Sequence, residues 1–173
     1  MRAFIAAEVS RFSDLEPLFE EIGRIPGSKP VRTEALHMTF VFLGEVDSAG
    51  INRIVLSLSS VQMRRFSVEI RGIGCFPGEQ RARVVFLNVA SNPEIEENYH
   101  LIHKSVGPGL GSREPFIPHI TIGRFRSPVK LASIRDKYSW IKSDQEIRKV
   151  GIFSSRLTPD GPIYRPIAEF QLK

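Results

Sequence analysis

Cysteine is nearly absent from this chain: Cys75 is the only one, which excludes an intrachain disulfide and a cysteine-built zinc site. Lying between Gly74 and Phe76, it reads as a structural thiol. Long apolar runs are missing too. The opening stretch from Ala3 to Val9 is too short to span a bilayer, and no cleavage-type signal region follows it. These absences predict a cytoplasmic protein with no membrane contact, its Met1 close to the first strand. There is no Gly-x-x-x-x-Gly-Lys-Ser/Thr loop to cradle ATP phosphates, and no Gly-x-Ser-x-Gly elbow for a Ser-His-Asp hydrolase. Low-complexity stretches are also lacking, so no long disordered tail is expected.

What is present is ordinary globular material: 173 residues, 42% of them hydrophobic, enough to bury a core unaided. Lysine and arginine number 24 against 19 aspartates and glutamates, and a pI near 9.7 favours an anionic partner. An excess of this size is equally that of a solvated basic surface.

Residues 2 to 9 read as a strand. Ser13 and Asp14 can then cap a helix with Leu15, Leu18, Phe19 and Ile22 on its apolar positions. Pro and Gly make Ile25 to Pro30 a loop. A strand ending at Gly44 follows, and Asp47 or Ser48 caps a helix whose Ile51, Ile54, Val55 and Leu58 share one face. Phe66, Val68 and Ile70 alternate with Ser67, Glu69 and Arg71 as in a half-buried strand. The turn-rich segment from Phe76 to Arg81 marks a boundary between halves. After it come a strand over 83–89, a helix opened by Asn92-Pro93, a strand around His119, a helix from about Pro128 to Ile141, and a strand from Gln145 to Phe153. Pro162 to Leu172 adds a last strand, which its prolines place at an edge.

The order of elements repeats, and so does the sequence. Val68 to Phe76 matches Gln145 to Phe153 at Glu, Ile, Arg, Gly and Phe, at an offset of 77. Leu36-His37-Met38-Thr39 is echoed by Pro118-His119-Ile120-Thr121, at an offset of 82. Such a duplication predicts two lobes related by a pseudo-twofold axis.

The two His-x-Thr units carry the chemistry. In a strand, residues two apart share a face, so each unit presents an imidazole beside a hydroxyl. One such unit is commonly structural; two in matching contexts suit a phosphate diester. In-line displacement at phosphorus needs a base on the entering oxygen, an acid on the departing one, and donors on the equatorial oxygens. His37 and His119 supply the first pair, Thr39 and Thr121 the donors, and Arg124 a charged contact. Arg124 reaches that face only if Gly123 marks a bulge or the strand end. The competing reading of Arg124 is a surface salt bridge. Zinc would want further ligands, and His100 and His103, spaced i, i+3 on a helix near its core face, read as surface or cap residues.

In these motifs the chain closely resembles the two-histidine (2H) phosphoesterase superfamily, specifically the RNA 2′,3′-cyclic phosphodiesterases also called 2′-5′ RNA ligases. The resemblance includes Phe42-Leu43-Gly44, Gly123-Arg124, the opening Arg2-Ala3-Phe4-Ile5-Ala6 and the closing Ser155 to Tyr164 with Pro159 and Asp160. It implies an α+β fold: two pseudo-symmetric lobes with antiparallel sheets lining a central cleft and helices packed on the outer faces. The chain would be one bilobal domain over 1–173, with sequence halves 1–77 and 78–173 and termini free to cross between lobes. It also implies hydrolysis of a terminal 2′,3′-cyclic phosphate to a 2′-phosphomonoester without metal or cofactor. His119 is the implied base (proton acceptor) and His37 the implied acid (proton donor), their roles exchanging in the reverse direction. Attack by a 2′- or 5′-hydroxyl through the same site is the implied ligase activity. RNA, tRNA halves among the candidates, is favoured by the basic balance and by Arg81 and Arg83, and Phe42, Phe76 and Phe125 are candidates to stack a base. A monomer is expected. Two rivals stand beside this: a phosphodiesterase for a small cyclic nucleotide or ADP-ribose cyclic phosphate, and a non-catalytic nucleotide- or RNA-binding module. The intact pair of His-x-Thr units argues against the second.

Overall fold

The computed structural model describes residues 1–111, 115–158 and 161–173; Pro159 and Asp160 of the closing motif lie outside them. The first half of the chain supplies β1 (Arg2–Glu8), α1 (Glu16–Arg24), β2 (Ser28–Pro30), β3 (His37–Glu45), α2 (Ser48–Ser59) and β4 (Phe66–Phe76). The second supplies β5 (Ala82–Ala90), α3 (Pro93–Val106), β6 (His119–Val129), α4 (Ala132–Lys137), β7 (Lys142–Ile147), β8 (Lys149–Thr158) and β9 (Gly161–Gln171).

Local chemistry sets several of these boundaries. The Asp47 carboxylate accepts from the Gly50 N–H at 2.7 Å, and the Asn92 side chain from the Ile95 N–H at 2.9 Å. Helices α2 and α3 thus start on side-chain caps of a kind worth about 1 kcal/mol each. Helix α1 departs from expectation, because neither Ser13 nor Asp14 caps it. A 3-10 turn over Ser13–Leu15 precedes it, and backbone carbonyls already take the leading donors: Leu15 N–H donates to Phe12 O and Glu16 N–H to Ser13 O. Pro17 has no N–H to satisfy.

Three further expectations are corrected. The 25–30 segment is not wholly loop: Ser28, Lys29 and Pro30 pair with Phe125, Arg124 and Gly123 of β6. The helix expected from Pro128 shrinks to the six residues of α4, because β6 runs on to Val129 and the Leu131 N–H donates to Glu79 O. The strand expected over 145–153 is two strands broken at Arg148. β7 pairs with β4, whereas β8 pairs with β1 and β9.

Among the described residues the strands form one antiparallel sheet in the order β7-β4-β5-β6-β3-β1-β8-β9, with β2 added beside β6. Outward from the β6–β3 junction, each flank holds four strands: β6-β5-β4-β7 and β3-β1-β8-β9. The junction itself is a single pair, Met38 with Ile120. The turn after Phe76 closes a β4–β5 hairpin, so the last strand of the first repeat sits in the second repeat's flank. Strand β8 answers by joining β1. β9, with Pro162 and Pro166, is an edge strand.

Helices α1 to α4 bury their apolar residues in one cluster against one face of the sheet. Leu18, Ile22, Ile54, Leu58, Ile95, Ile102 and Ile134 meet Ile5, Met38, Ile70, Leu87 and Ile120 there. Each buried leucine or isoleucine contributes about 1.5–3 kcal/mol. Among the described residues the one buried polar side chain is Asn98. It donates to Arg64 O at 2.8 Å and accepts from the Arg64 N–H at 3.1 Å, tying the α2–β4 connection to α3. The other face carries a small cluster of Phe4, Ala6 and Phe153, with Tyr164 packed on it. That bare, curved face holds the His-x-Thr units. No described helix is long and apolar enough to cross a membrane.

Candidate active site

Met38 and Ile120 face each other across the junction and are both fully buried on the helix side. Alternation therefore turns His37, Thr39, His119 and Thr121 to the open face. Continuing the antiparallel register by one residue each way sets His37 across from Thr121, and His119 across from Thr39. Among the described residues no protein group takes either threonine hydroxyl, so both are available to a ligand.

A bulge then moves the next side chain to this face in each strand. On β6, Thr121 pairs with Phe86 and Gly123 with Val85, leaving Ile122 as the extra residue. Both Ile122 and Gly123 face the core; a Cβ on Gly123 would lie 3.1 Å from Ile22 Cγ2 and 3.2 Å from Val85 Cγ1. Alternation resumes with Arg124 on the open face. On β3 the same device leaves Phe40 extra between Thr39 and Val41, and Phe42 emerges on the open face, 55% exposed.

The imidazoles are held alike. His37 Nδ1 lies 2.7 Å from Ala35 O, and His119 Nδ1 lies 2.7 Å from Ile117 O. A carbonyl only accepts, so Nδ1 carries the hydrogen in both rings and Nε2 is left for proton exchange. The rings are also framed alike. Phe4 of β1 lies 5.0 Å from the His37 ring and Phe86 of β5 5.1 Å from the His119 ring. A second ring meets each edge-on: Tyr164 at 5.0 Å from His37 and Phe76 at 5.3 Å from His119.

Electrostatics separate the two. Burial pushes both imidazoles below the ordinary histidine range, the carbonyl bonds oppose it, and the Arg124 guanidinium pushes each further down. His37 also feels His119, which lowers it, and Glu8, which raises it. Glu8 stands across from His37 in the β1–β3 register and ion-pairs with Lys149 at 3.4 Å. Among the described residues no such carboxylate acts on His119. Burial raises the Tyr164 phenol, and Arg124 lowers it, so one guanidinium acts on both imidazoles and on the tyrosine.

Other candidates sit elsewhere. Arg83 is exposed, and its guanidinium donates to Arg126 O at 3.1 Å. Arg81 is exposed in the turn before β5. Phe125 is buried on the core side. His100 and His103 flank Tyr99 on α3, away from the junction. Burial and Glu79 raise the Cys75 thiol, which keeps it protonated and a poor nucleophile. Phe4, Phe86, Phe153 and Glu8 were not singled out from sequence. The signal was there for the pair Phe4 and Phe86, which share the 82-residue offset of the histidines.

This arrangement offers two oriented Nε2 atoms, two free hydroxyls and one shared guanidinium on one open face, which is the equipment for acid–base displacement at a phosphodiester. Similarity to known proteins agrees with it. The model of the LigT like Phosphoesterase family matches residues 9–86 and 89–164. RNA 2′,3′-cyclic phosphodiesterase of Archaeoglobus fulgidus is 33% identical, with 99% of this chain and 100% of that protein covered. Its namesake from Thermotoga maritima is 32% identical, covering 100% and 96%. Among solved structures, a Thermus thermophilus protein superposes with a TM-score of 0.81 at 25% identity over 99% of this chain and 98% of its own. E. coli LigT, crystallised with 3′-AMP, shares the fold at a TM-score of 0.76 and 21% identity, with 99% and 97% covered. With both His-x-Thr strands inside the matched segments, the chain belongs to the LigT-like phosphoesterases, the two-histidine (2H) family.

Proposed function

We propose that this phosphoesterase opens the 2′,3′-cyclic phosphate at an RNA end to a 2′-phosphomonoester, by acid–base catalysis between its two histidines and without a metal ion. The observation that carries the reading is the matched pair of Nδ1–carbonyl bonds, which leave free two Nε2 atoms on rings that both feel one arginine. His119 Nε2 takes a proton from water as its oxygen bonds to phosphorus. The P–O3′ bond breaks on the far side, and His37 Nε2–H gives its proton to O3′. Burial, Arg124 and His119 work against a proton on His37 and Glu8 only partly offsets them, so the assignment of His37 as acid rests on its motif position in the resemblance. Thr39, Thr121 and Arg124 hold the equatorial oxygens, where charge accumulates. With a ribose 5′-hydroxyl in place of water the same steps run in the same direction: its oxygen bonds to phosphorus, the P–O3′ bond breaks, and the product is a 2′-5′ diester, which is ligation.

The relatives' names supply the RNA substrate, and the surface supports it. Phe42 is exposed beside the site, and Arg2, Arg81, Arg126, Arg156 and Arg165 carry no ion pair among the described residues. The test is an oligonucleotide ending in a 2′,3′-cyclic phosphate, and the matching mononucleotide, each incubated with the protein in EDTA. Oligonucleotide turnover to a 2′-phosphate end is expected. Turnover of the small nucleotide alone selects a nucleotide enzyme, a 3′-phosphate product overturns the bond assignment, and activity lost in EDTA but restored by a divalent ion overturns metal independence.

A further inference from the structure

We propose that the pocket beside His37 is a nucleobase site that selects bases with N–H donors on the Watson–Crick edge, guanine first, through Glu34 and Arg32. The inference rests on the cyclic-phosphate reading above and names the nucleoside that enters the site. The pocket encloses about 210 Å³, and its lining comes only from the His37 flank: β1, the segment from Arg32 to His37, β8 and β9. The pocket, half open, thus lies beside the histidine that protonates the ribose oxygen.

Its walls and its rim differ in chemistry. Phe4, Tyr164 and Phe153 form an apolar wall of rings, the surface on which a base stacks. Glu8, Arg32 and Glu34 form the polar rim. Two carboxylates repel a phosphate, so the backbone of the substrate is unwelcome here, whereas a base edge presenting N–H groups is matched. Glu34 is set up as an acceptor: hydrogen bonding to its own backbone and from the Thr33 hydroxyl, at 3.0 Å, keeps its carboxyl below the usual carboxylate range. Guanine offers N1–H and N2–H side by side to one carboxylate, and its O6 to a guanidinium such as that of Arg32. Adenine and cytosine offer the carboxylate one amino group. Uracil turns a lone N–H flanked by two carbonyl oxygens toward it, which is the poorest match.

The site is also coupled to the chemistry by position. Glu34 belongs to the Thr33–Ala35 turn whose Ala35 carbonyl holds His37 Nδ1. A base seated against Glu34 therefore brings its own ribose to the His37 side, where O3′ departs.

The test uses the four nucleoside 2′,3′-cyclic phosphates as substrates, and the four nucleoside 2′-phosphates as ligands in calorimetry. Guanosine is expected to exceed uridine by on the order of tenfold or more in both kcat/KM and affinity. Glu34→Gln should abolish that ranking while leaving the uridine compounds within about twofold, since only a charge-assisted acceptor is lost. Tyr164→Ala should weaken all four alike. Four equal bases, or a ranking that survives Glu34→Gln, overturns the proposal. The two readings fail separately: turnover without base ranking removes the pocket alone, and base-ranked binding without turnover of any cyclic phosphate removes the proposed activity alone.

Discussion

Phe42 of β3 and Arg124 of β6 occupy the same place in their two strands, each five residues past its histidine and each turned to the open face by a bulge. One repeat thus puts a ring where the other puts a charge. On the proposed function the two sides of the scaffold would then meet different parts of one ligand.

The two residues should fail differently when removed. Arg124→Ala is expected to cost on the order of 10²- to 10³-fold in kcat, as loss of a preorganised charge at the phosphate does. Arg124→Lys should recover only part of it, because a point charge replaces a planar fork. Phe42→Ala should leave mononucleotide kcat near wild type and weaken oligonucleotide binding by about tenfold, the scale of one lost base stack. Steady-state kinetics on both substrates check this, and a kcat defect confined to Phe42→Ala would reverse the division of labour.

Each single His→Ala change is expected to lower turnover on the order of 10²- to 10⁴-fold, with the double variant far less impaired than the product of the two. A substrate whose leaving group departs without protonation distinguishes the roles. It should rescue His37→Ala and leave His119→Ala inactive; the opposite pattern would exchange acid and base.

The pH profile of kcat/KM should be a bell, since one imidazole must be neutral and the other charged. Burial and Arg124 lower both, so the bell is displaced to the acid side of the ordinary histidine value of 6.5. The limbs belong to the coupled pair. Arg124→Ala removes a cation that acts on both rings and should shift the bell toward alkaline pH. Glu8→Gln removes a group that raises His37 and should pull in the alkaline limb more than the acid one. A Glu8→Gln profile that loses its acid limb instead would place the proton on the wrong histidine.

The same lowered values make a stability prediction with a definite sign. Below pH 6.5 the unfolded chain protonates these histidines before the folded one does, so the unfolded state binds more protons and stability falls as the pH falls. The loss begins near 6.5 and levels off below the folded values. A His37→Gln, His119→Gln variant should show a shallower fall in Tm across that window; an unchanged slope would mean that the imidazoles are not held neutral.

The residues that read most directly from sequence were those governed by short-range rules. Period-2 alternation put His37 with Thr39 and His119 with Thr121, and the caps at Asp47 and Asn92 are one-turn interactions. Arg124 was legible only conditionally: alternation alone sends it to the wrong face, and Ile122, not Gly123, is the extra residue that corrects it. Gly123 marks the place because its missing Cβ lets Ile22 and Val85 close over it. What stayed hidden depended on pairing between distant segments. Nothing local says that β7 joins β4 while β8 joins β1, because the 145–153 match reads as one strand until Arg148 is seen to carry the chain from one edge to the other flank. Glu8 has no motif; it matters because β1 lies against β3 with Glu8 across from His37.

The last expectation concerns salt. Arg156 and Arg165 lie on the β8–β9 hairpin that carries Tyr164, and neither has an ion pair among the described residues. β8 pairs with β1 only as far as Ser154, so the hairpin runs on past it. Alternation turns Arg156 and Arg165 to the face opposite Tyr164, where a strand that leaves the His37 side and rounds the hairpin meets them. A single-stranded RNA that gives up counterions to them should lose affinity with salt at a log–log slope of about −0.7 for each phosphate neutralised. A mononucleotide brings a single phosphate, to Arg124, and should show a shallow slope. The double change Arg156→Gln, Arg165→Gln should flatten the oligonucleotide slope by roughly one to one and a half units and leave mononucleotide binding unchanged. Equal slopes for the two ligands in the unaltered protein would mean that the RNA beyond its terminal nucleotide is not held. An oligonucleotide slope untouched by the double change would send the strand along the other flank, past Arg81 and Arg126.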